Sequence, residues 1–129
     1  MKSFLAVLFV LVIFASTLAA QEEYSGTVLK VTDGDTMTVK FALGMDVFTE
    51  GKIRLKDIDC PEIRTEAGKA VRDDVRGMLE GQNVRIEVYR KDKYGRWLAV
   101  VWFGSLNVNE WLLQTGRAKP YDGRKRLLP

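Results

Sequence analysis

The order in which strand-like and helix-like segments follow one another is the feature that most constrains the fold. Five short segments have the apolar alternation or the apolar content of β-strands, and they cover residues 24–31, 35–43, 53–57, 84–89 and 97–103. Between the third and the fourth, residues 65–80 place apolar side chains on one helical face, with Thr65 as the expected cap and Gly81 at the end. Residues 109–115 predict a second, shorter helix. This order predicts an α+β, mainly β fold: a five-stranded barrel of the OB-fold type with two helices.

The connections between strands are marked by turn-forming residues. Asp33-Gly34 predicts a type I′ hairpin turn, because this pair tolerates the positive φ that such a turn needs at both central positions. Residues 44–51 predict a loop or a frayed hairpin connection. Pro61 lacks a backbone N–H, so the third strand is expected to end or bulge near Asp57.

Residues 1–20 have the layout of a secretory signal peptide. A positively charged start is followed by an apolar run over residues 4–14, and small residues precede the expected cleavage after Ala19 or Ala20. The apolar stretch is shorter than the ~20 residues of a spanning helix, so we expect no stable membrane anchor after cleavage. Residues 21–129 are then expected to form one secreted or periplasmic domain, and a monomer.

The residue types present restrict the chemistry. The chain has no histidine and a single cysteine, Cys60, which excludes a Cys/His zinc site, a Cys-His or Ser-His catalytic pair and an internal disulfide. Any catalysis therefore depends on carboxylates, arginine, lysine and tyrosine. The formal net charge of +3 is weak evidence for a nucleic-acid partner. The basic segment from Arg117 to Arg126 contains one acid, Asp122, and is either solvated or lines a phosphate-binding face.

Four carboxylates lie where the predicted strands would bring them together. Asp33 and Asp35 lie at the first hairpin, and Asp59 and Glu62 follow the end of the third strand. If the second and third strands are neighbours, these side chains converge at one rim of the barrel. A hard divalent cation such as Ca²⁺, Mg²⁺ or Mn²⁺ would offset their repulsion. The alternative is that the aspartates serve turn conformations alone.

Two arginines and two tyrosines are candidates for contact with phosphates and bases. Arg54 lies within the third strand and faces away from its apolar neighbours, where its planar fork suits phosphate oxygens; a salt bridge to Glu87 is the alternative. Arg96 follows the glycine of a tight turn, and its alternative is a solvated hairpin arginine. Tyr94 and Tyr121 either stack on bases or pack their rings against the protein.

Three motifs, in the order VTDGDTMTV, IRLKDIDCPE and DKYGRWLAVVW, resemble the staphylococcal nuclease, or thermonuclease, family. A fourth segment, VNEWLLQTGRAK, is similar to that family's second helix and its exit. The resemblance runs from about Tyr24 to about Tyr121. It implies a calcium-dependent phosphodiesterase on an OB-fold barrel, which cleaves DNA and RNA and leaves 3′-phosphate and 5′-hydroxyl ends.

The resemblance also implies how the metal and water are held. Ca²⁺ would be bound by Asp35, Asp59 and the backbone carbonyl of Cys60, and Glu62 would activate or position water. Cys60 stands where the best-known member has threonine, a change that the carbonyl should tolerate. The chain ends before that member's long C-terminal helix, so the tail over residues 120–129 is expected to close the barrel edge.

The same resemblance implies that Arg54 and Arg96 clamp the phosphate. Tyr94 and Tyr121, from their ability to stack on bases, and Lys119, from the basic tail, are the remaining predicted substrate contacts. Two other functions are possible for such a chain. One is a non-catalytic OB-fold module that binds nucleic acid or protein, and the other is a purely structural exported domain.

Overall fold

The computed structural model describes residues 21–121, so the predicted signal peptide and most of the basic tail lie outside the described residues. The elements within this range are β1 (Glu22–Asp33), β2 (Thr36–Gly44), β3 (Val47–Leu55), β4 (Ile58–Asp59), α1 (Glu66–Leu79), β5 (Asn83–Lys91), β6 (Trp97–Phe103), β7 (Leu106–Asn107), α2 (Val108–Gln114) and β8 (Lys119–Pro120). Of these two helices, neither has the length and apolar character needed to cross a membrane.

Five of the strands form a closed barrel. They pair in the order β3–β2–β1–β5–β6, and a parallel pairing between β3 and β6 joins the two ends of the sheet. This parallel contact is short, with Ile53 opposite Trp97 and Leu55 opposite Ala99, because β3 ends there. β4 and β8 pair separately as a small antiparallel sheet. The prediction of a five-stranded OB-fold-type barrel with two helices is confirmed.

The core lies inside the barrel and extends to both helices. Each barrel strand contributes a fully buried side chain, among them Val28, Val39, Ile53, Ile86 and Val101. Val75 and Leu79 add one face of α1 to this core, and Leu112 adds α2. Full burial of a side chain of this size stabilises a fold by about 1.5–3 kcal/mol. The barrel is therefore rigid enough to hold polar side chains at its rim.

The first hairpin turn lies one residue further along the chain than predicted. Asp33 pairs with Thr36, so the loop consists of Gly34 and Asp35. Neither Asp33 nor Gly34 has a positive φ, and the prediction of a type I′ turn at this pair is wrong. The physical reason is that the Asp33 carboxylate accepts the backbone N–H of Asp35 at 3.3 Å, an Asx-type turn that needs no left-handed residue.

The second hairpin occupies the segment expected to be a loop or a frayed hairpin connection. Met45 and Asp46, with φ of 51° and 60°, form its two-residue turn between β2 and β3. β3 begins immediately afterwards at Val47, so most of the predicted 44–51 loop is strand. The alternation is weak there because the first residues of β3 extend from the barrel and are exposed on both faces.

The first helix begins and ends where the sequence predicts. Thr65 caps it, with Oγ1 accepting the N–H of Gly68 at 3.0 Å, and Gly81 follows its end with a φ of 83°. The shorter α2 is capped by Asn107, whose Oδ1 accepts the N–H of Glu110 at 3.1 Å.

Candidate active site

The turn between β1 and β2 places Asp35 at the rim of the barrel. The side chain is buried, and its Oδ2 accepts the backbone N–H of Cys60 at 2.8 Å. The backbone carbonyl of Asp35 accepts the N–H of Leu55 at 2.8 Å. These two bonds hold the first hairpin against both the end of β3 and the segment that follows it.

β3 carries Arg54 to the same rim, where its buried guanidinium lies between two carboxylates. Nη1 is 3.3 Å from Asp35 Oδ2, and Nη2 is 3.4 Å from Asp59 Oδ1. Nη1 also donates to the backbone carbonyl of Leu55 at 3.0 Å. The alternative of a salt bridge from Arg54 to Glu87 is wrong, because Glu87 lies on β5, which does not pair with β3.

Nearby positive charge and hydrogen-bond donors offset only part of the effect of burying the Asp35 carboxylate. Burial, followed by the hydrogen bond with Asp33, raises the pKa of Asp35 to about 6. The charge on Arg54 and the N–H of Cys60 act in the opposite direction. Burial also raises the pKa of the Cys60 thiol to about 12, with a further contribution from the charge on Asp35. The sulfur is therefore a neutral thiol at physiological pH, not a nucleophile.

The β5–β6 hairpin holds Arg96 through Asp92. Asp92 Oδ2 accepts Nε–H of Arg96 at 2.8 Å, and its Oδ1 accepts the backbone N–H groups of Tyr94 and Arg96 at 2.9 and 3.0 Å. Burial alone would raise the pKa of Asp92, but these hydrogen bonds outweigh it and lower the pKa below its ordinary value. Arg96 is thus half-buried in an ion pair, and the alternative of a freely solvated hairpin arginine is wrong.

Arg54 and Arg96 line one open groove of about 590 Å³, here called the basic groove. Its lining includes six basic residues, Arg54, Lys56, Arg90, Lys91, Lys93 and Arg96, and three aspartates, Asp57, Asp59 and Asp92. Tyr94 and Tyr121, which the sequence predicted as substrate contacts, also line this groove. Tyr121 is placed by its backbone N–H, which donates to the carbonyl of Asp57 at 2.8 Å, and its ring lies 5.8 Å from the guanidinium carbon of Arg54.

Four predicted site residues lie outside the lining of this groove: the buried Asp35 and Cys60 described above, and the more exposed Glu62 and Lys119. Glu62 lies between β4 and α1, about half exposed, with Oε2 2.6 Å from Nε of Arg64. Its backbone carbonyl accepts both the N–H and the hydroxyl of Thr65, at 2.9 and 2.6 Å. Lys119 is exposed on β8, directly opposite Asp59 in the β4–β8 pairing.

The predicted residues therefore fall into three groups. One is a hydrogen-bonded cluster of Asp35, Arg54, Asp59 and Cys60. The second shares the basic groove with Arg54 and consists of Tyr94, Arg96 and Tyr121. The third consists of Glu62 and Lys119. Glu62 follows Cys60 closely in the chain, and Lys119 pairs with Asp59 in the short β4–β8 sheet.

A buried asparagine that the sequence did not single out braces the same rim. Asn109 Nδ2 donates to the carbonyls of Lys56 and Ala99, both at 3.1 Å, and Oδ1 accepts the N–H of Val101 at 3.1 Å. These bonds fix the segment that follows Arg54 against β6. In the sequence, Asn109 is the first residue of a predicted helix, and asparagine at such a position is ordinarily a cap. The sequence pattern therefore gives no indication that this side chain is buried.

We expect Asn109→Ala to destabilise the protein by about 2–4 kcal/mol, because it leaves several buried main-chain groups without their side-chain partners. The measurement is the free energy of unfolding in urea. Asn83→Ala is the matched control, since Asn83 is exposed and bonds Thr27 at 2.9 Å on the surface, and it should cost less than about 1 kcal/mol. Equal losses in the two variants would contradict the bracing role.

The oxygen atoms at this rim suit a hard cation, although the site is not built from side chains alone. Among residues 21–121, no three side chains of Asp, Glu or Cys converge as a ready-made metal site. Asp35 and Asp59 share one guanidinium, and the backbone N–H of Cys60 joins the segment around Cys60 to Asp35. The raised pKa of Asp35 marks a carboxylate that an additional positive charge would stabilise. Carboxylate and carbonyl oxygens are the donors that Ca²⁺ and Mg²⁺ prefer.

Comparison with known proteins gives a family match and several relatives. Residues 52–127 match the family model described as "Staphylococcal nuclease homologue". A protein of Escherichia coli O157:H7 named "Uncharacterized endonuclease" is 34% identical over 98 residues, which cover 75% of this chain and 61% of that protein. A protein of the same name from Haemophilus influenzae is 31% identical over 102 residues, or 79% of this chain and 55% of its own. "Staphylococcal-like nuclease CAN1" of Arabidopsis thaliana is 36% identical over 79 residues, 59% of this chain and 24% of that protein. The chain thus spans just over half the length of the two bacterial relatives.

Proposed function

The chain belongs to the staphylococcal nuclease homologue family, and we propose that it is a secreted, calcium-dependent nuclease that hydrolyses phosphodiester bonds of DNA and RNA. One observation carries the proposal: the guanidinium of Arg54 is held between Asp35 and Asp59 at the wall of a groove that also contains Arg96. Two oriented arginines beside a pair of carboxylates supply what phosphodiester hydrolysis requires, namely charge stabilisation and a place for a cation.

Asp35, Asp59 and the backbone carbonyl of Cys60 are proposed to hold Ca²⁺. All three offer oxygen atoms, and the raised pKa of Asp35 supports a need for positive charge at this point. Bound there, the ion would neutralise charge on the phosphate and lower the barrier to attack by water.

The two arginines are proposed to bind the non-bridging oxygens of the phosphate, on which charge increases in the transition state. Each guanidinium is already positioned by carboxylates, Arg54 by Asp35 and Asp59 and Arg96 by Asp92, so little reorganisation is needed when substrate binds. Planar, always-charged guanidinium groups suit phosphate oxygens better than lysine ammonium groups do.

Glu62 is proposed to accept a proton from the attacking water. The water oxygen forms a bond to phosphorus while the bond from phosphorus to the 5′ oxygen breaks, and the departing 5′ oxygen takes a proton from solvent, which leaves a 3′-phosphate and a 5′-hydroxyl. Because the Glu62 carboxylate is half exposed and lies against Arg64, it can reach solvent but must separate from that arginine to act. Tyr94 and Tyr121 are proposed to contact the nucleotides on either side, and Lys119 to contact a phosphate.

We expect the purified protein to cleave single-stranded DNA in the presence of Ca²⁺ and to stop when the ion is chelated. Arg96→Ala should lower the rate about a thousandfold, because it removes a charge that stabilises the transition state. Arg72→Ala is the matched control: Arg72 lies on α1, pairs with Asp73 and is outside the basic groove, so its rate should be unchanged.

Cleavage that survives chelation, or full activity of the Arg96→Ala variant, would overturn this proposal. Salt-dependent binding of DNA without cleavage would point instead to the non-catalytic OB-fold module. Release of 5′-phosphate ends, read by mass spectrometry of the products, would exclude the proposed direction of attack.

We also propose that the protein is exported, on the strength of the signal-peptide pattern over residues 1–20. Fractionation of cells that express the full chain should place the protein outside the cytoplasm. Its N-terminus, read by mass spectrometry, should begin after Ala19 or Ala20. Recovery of the full-length chain in the cytoplasm would contradict this proposal.

A further inference from the structure

A second groove, of about 320 Å³, opens on the barrel surface formed by β1, β2, β3, β5 and β6. We call it the aromatic groove, and its apolar lining consists of Tyr24, Phe41, Leu43, Val88, Tyr89 and Trp97. Tyr24 and Phe41 pack edge to face, with centroids 6.0 Å apart. The acid in the lining, Glu22, accepts the hydroxyl of Tyr24. This volume is at the lower end of the range of small-molecule pockets and suits one planar ring.

A β-bulge directs Tyr89 into this groove. Val88 pairs with Ala99 and Arg90 pairs with Leu98, so Tyr89 is an extra residue without a partner on β6. In a regular strand the side chains of Val88 and Tyr89 would point to opposite faces. Here both line the aromatic groove, and the Tyr89 side chain is left 39% exposed. Bulges are common beside functional sites because they change the direction of one side chain.

The aromatic groove adjoins the basic groove along β5 and β6, although the two share no lining residue. Arg90 and Lys91, the residues that follow Tyr89, line the basic groove. The ammonium of Lys91 lies 4.9 Å from the ring centroid of Trp97, and that of Lys56 lies 4.7 Å from the ring centroid of Tyr89. Lys56 also lines the basic groove. At the border between the two grooves, two lysine ammonium groups therefore lie over the rings of Tyr89 and Trp97.

We propose that the aromatic groove is a base-stacking subsite for single-stranded nucleic acid that extends beyond the cleaved phosphate. The proposal rests on the proposed nuclease function, because the basic groove must hold the same strand. A strand needs a cationic track for its phosphates and aromatic faces for its bases, and the two adjoining grooves offer one of each. A duplex stacks its bases internally, so the substrate class assigned to this subsite is unpaired DNA or RNA.

The first test uses Trp97 as a reporter of occupancy. Replacing the other tryptophans, Trp102→Phe and Trp111→Phe, leaves Trp97 as the single indole. Metal is chelated throughout so that binding is read without cleavage. A single-stranded dodecanucleotide should quench Trp97 fluorescence, whereas a dinucleotide that fills the basic groove alone should not. Binding of the dodecanucleotide, read by anisotropy, without any change at Trp97 would overturn the proposal.

The second test measures how affinity depends on strand length. Tyr89→Ala should lower the ratio of dodecanucleotide to dinucleotide affinity about tenfold, within the range found for loss of one stacked base. Phe48→Ala is the matched control, since Phe48 is 52% exposed, has the Lys40 ammonium 4.4 Å from its ring centroid and lines neither groove. The control should keep the wild-type ratio, and an equal fall in both variants would overturn the proposal.

Other occupants of the aromatic groove give different results. A Trp97 signal that changes with protein concentration alone would assign the groove to a second copy of the chain. A signal that changes with phosphatidylcholine vesicles but not with oligonucleotide would assign it to a lipid surface, and either result overturns the subsite. Failure to bind any strand by a folded protein would overturn the proposed function as well, whereas length-independent binding overturns the subsite alone.

Discussion

Replacing Arg54 with methionine should abolish cleavage while leaving Ca²⁺ binding at least as tight as in the unaltered protein. The guanidinium lies 3.3 Å from Asp35 and 3.4 Å from Asp59, the two carboxylates proposed to hold the ion. A cation at that position competes electrostatically with Ca²⁺, so its removal strengthens ion binding even as the phosphate loses a partner. We expect the rate to fall at least about a thousandfold, as for loss of a charged transition-state contact.

The measurement must be made at a pH where Asp35 stays ionised. The pKa of Asp35 is raised to about 6 while Arg54 acts to lower it, so removal of Arg54 raises that pKa further. At neutral pH part of the Asp35 carboxyl would then be protonated in the variant, which weakens ion binding and opposes the expected gain. Titration at about pH 8.5, well above the pKa of about 6 that Asp35 has when Arg54 is present, separates the two effects.

Calcium affinity by isothermal titration and the initial rate on single-stranded DNA are the two readouts. Arg72→Met is the control, because it removes an arginine that contacts neither Asp35 nor Asp59, and both readouts should match those of the unaltered protein. A variant that loses Ca²⁺ affinity and activity together would show that Arg54 supports the carboxylates rather than competing with the ion. Unfolding without metal should also cost about 3 kcal/mol less in Arg54→Met, since the buried Asp35 and the partly buried Asp59 both lose an ion-pair contact, and added Ca²⁺ should restore much of that loss.

The sequence predicts the barrel well because its strands are amphipathic where they enclose the core. Residues such as Val39 and Phe41 are buried and alternate with more exposed neighbours, so the period of two is visible. The first part of β3 lacks this signal. Val47 and Phe48 are both about half exposed, since the hairpin extends beyond the barrel, and the segment therefore resembles a loop in sequence.

The candidate site was predictable in composition but not in contacts. The motif residues Asp35, Arg54 and Asp59 are apparent in the sequence, yet the bridging of the two carboxylates by one guanidinium depends on the β2–β3 register, which puts Arg54 opposite Thr36, and on the turn between β3 and β4. Asn109 and Tyr89 escaped prediction for a different reason. The role of each comes from a partner elsewhere in the chain, a set of main-chain groups for Asn109 and a missing partner on β6 for Tyr89. Local periodicity carries no information about such partners.

Replacing Gly68 with alanine should destabilise the protein strongly, although alanine is the better helix former. Gly68 lies in the first turn of α1, and a Cβ atom there would be 1.9 Å from the carbonyl oxygen of Glu62 and 2.9 Å from that of Pro61. Both are backbone atoms, so no side-chain rotation can relieve the contact. The segment before the helix must move, and we expect a loss of about 3 kcal/mol, in the upper range for overpacking.

Gly77→Ala is the matched control on the same helix. Nothing lies within 4 Å of a Cβ atom at Gly77, so alanine should stabilise the protein by up to about 1 kcal/mol through helix propensity alone. Both free energies of unfolding can be measured in urea, together with the rate of DNA cleavage at saturating Ca²⁺.

The two substitutions are chemically identical and differ in their surroundings, so opposite signs isolate the contact with Glu62. Since that contact positions the residue proposed to accept the proton, Gly68→Ala should also lower the rate among molecules that remain folded, whereas Gly77→Ala should not. Stabilisation by both alanines would mean that the segment before α1 adapts freely, and Glu62 would then have no fixed position from which to act.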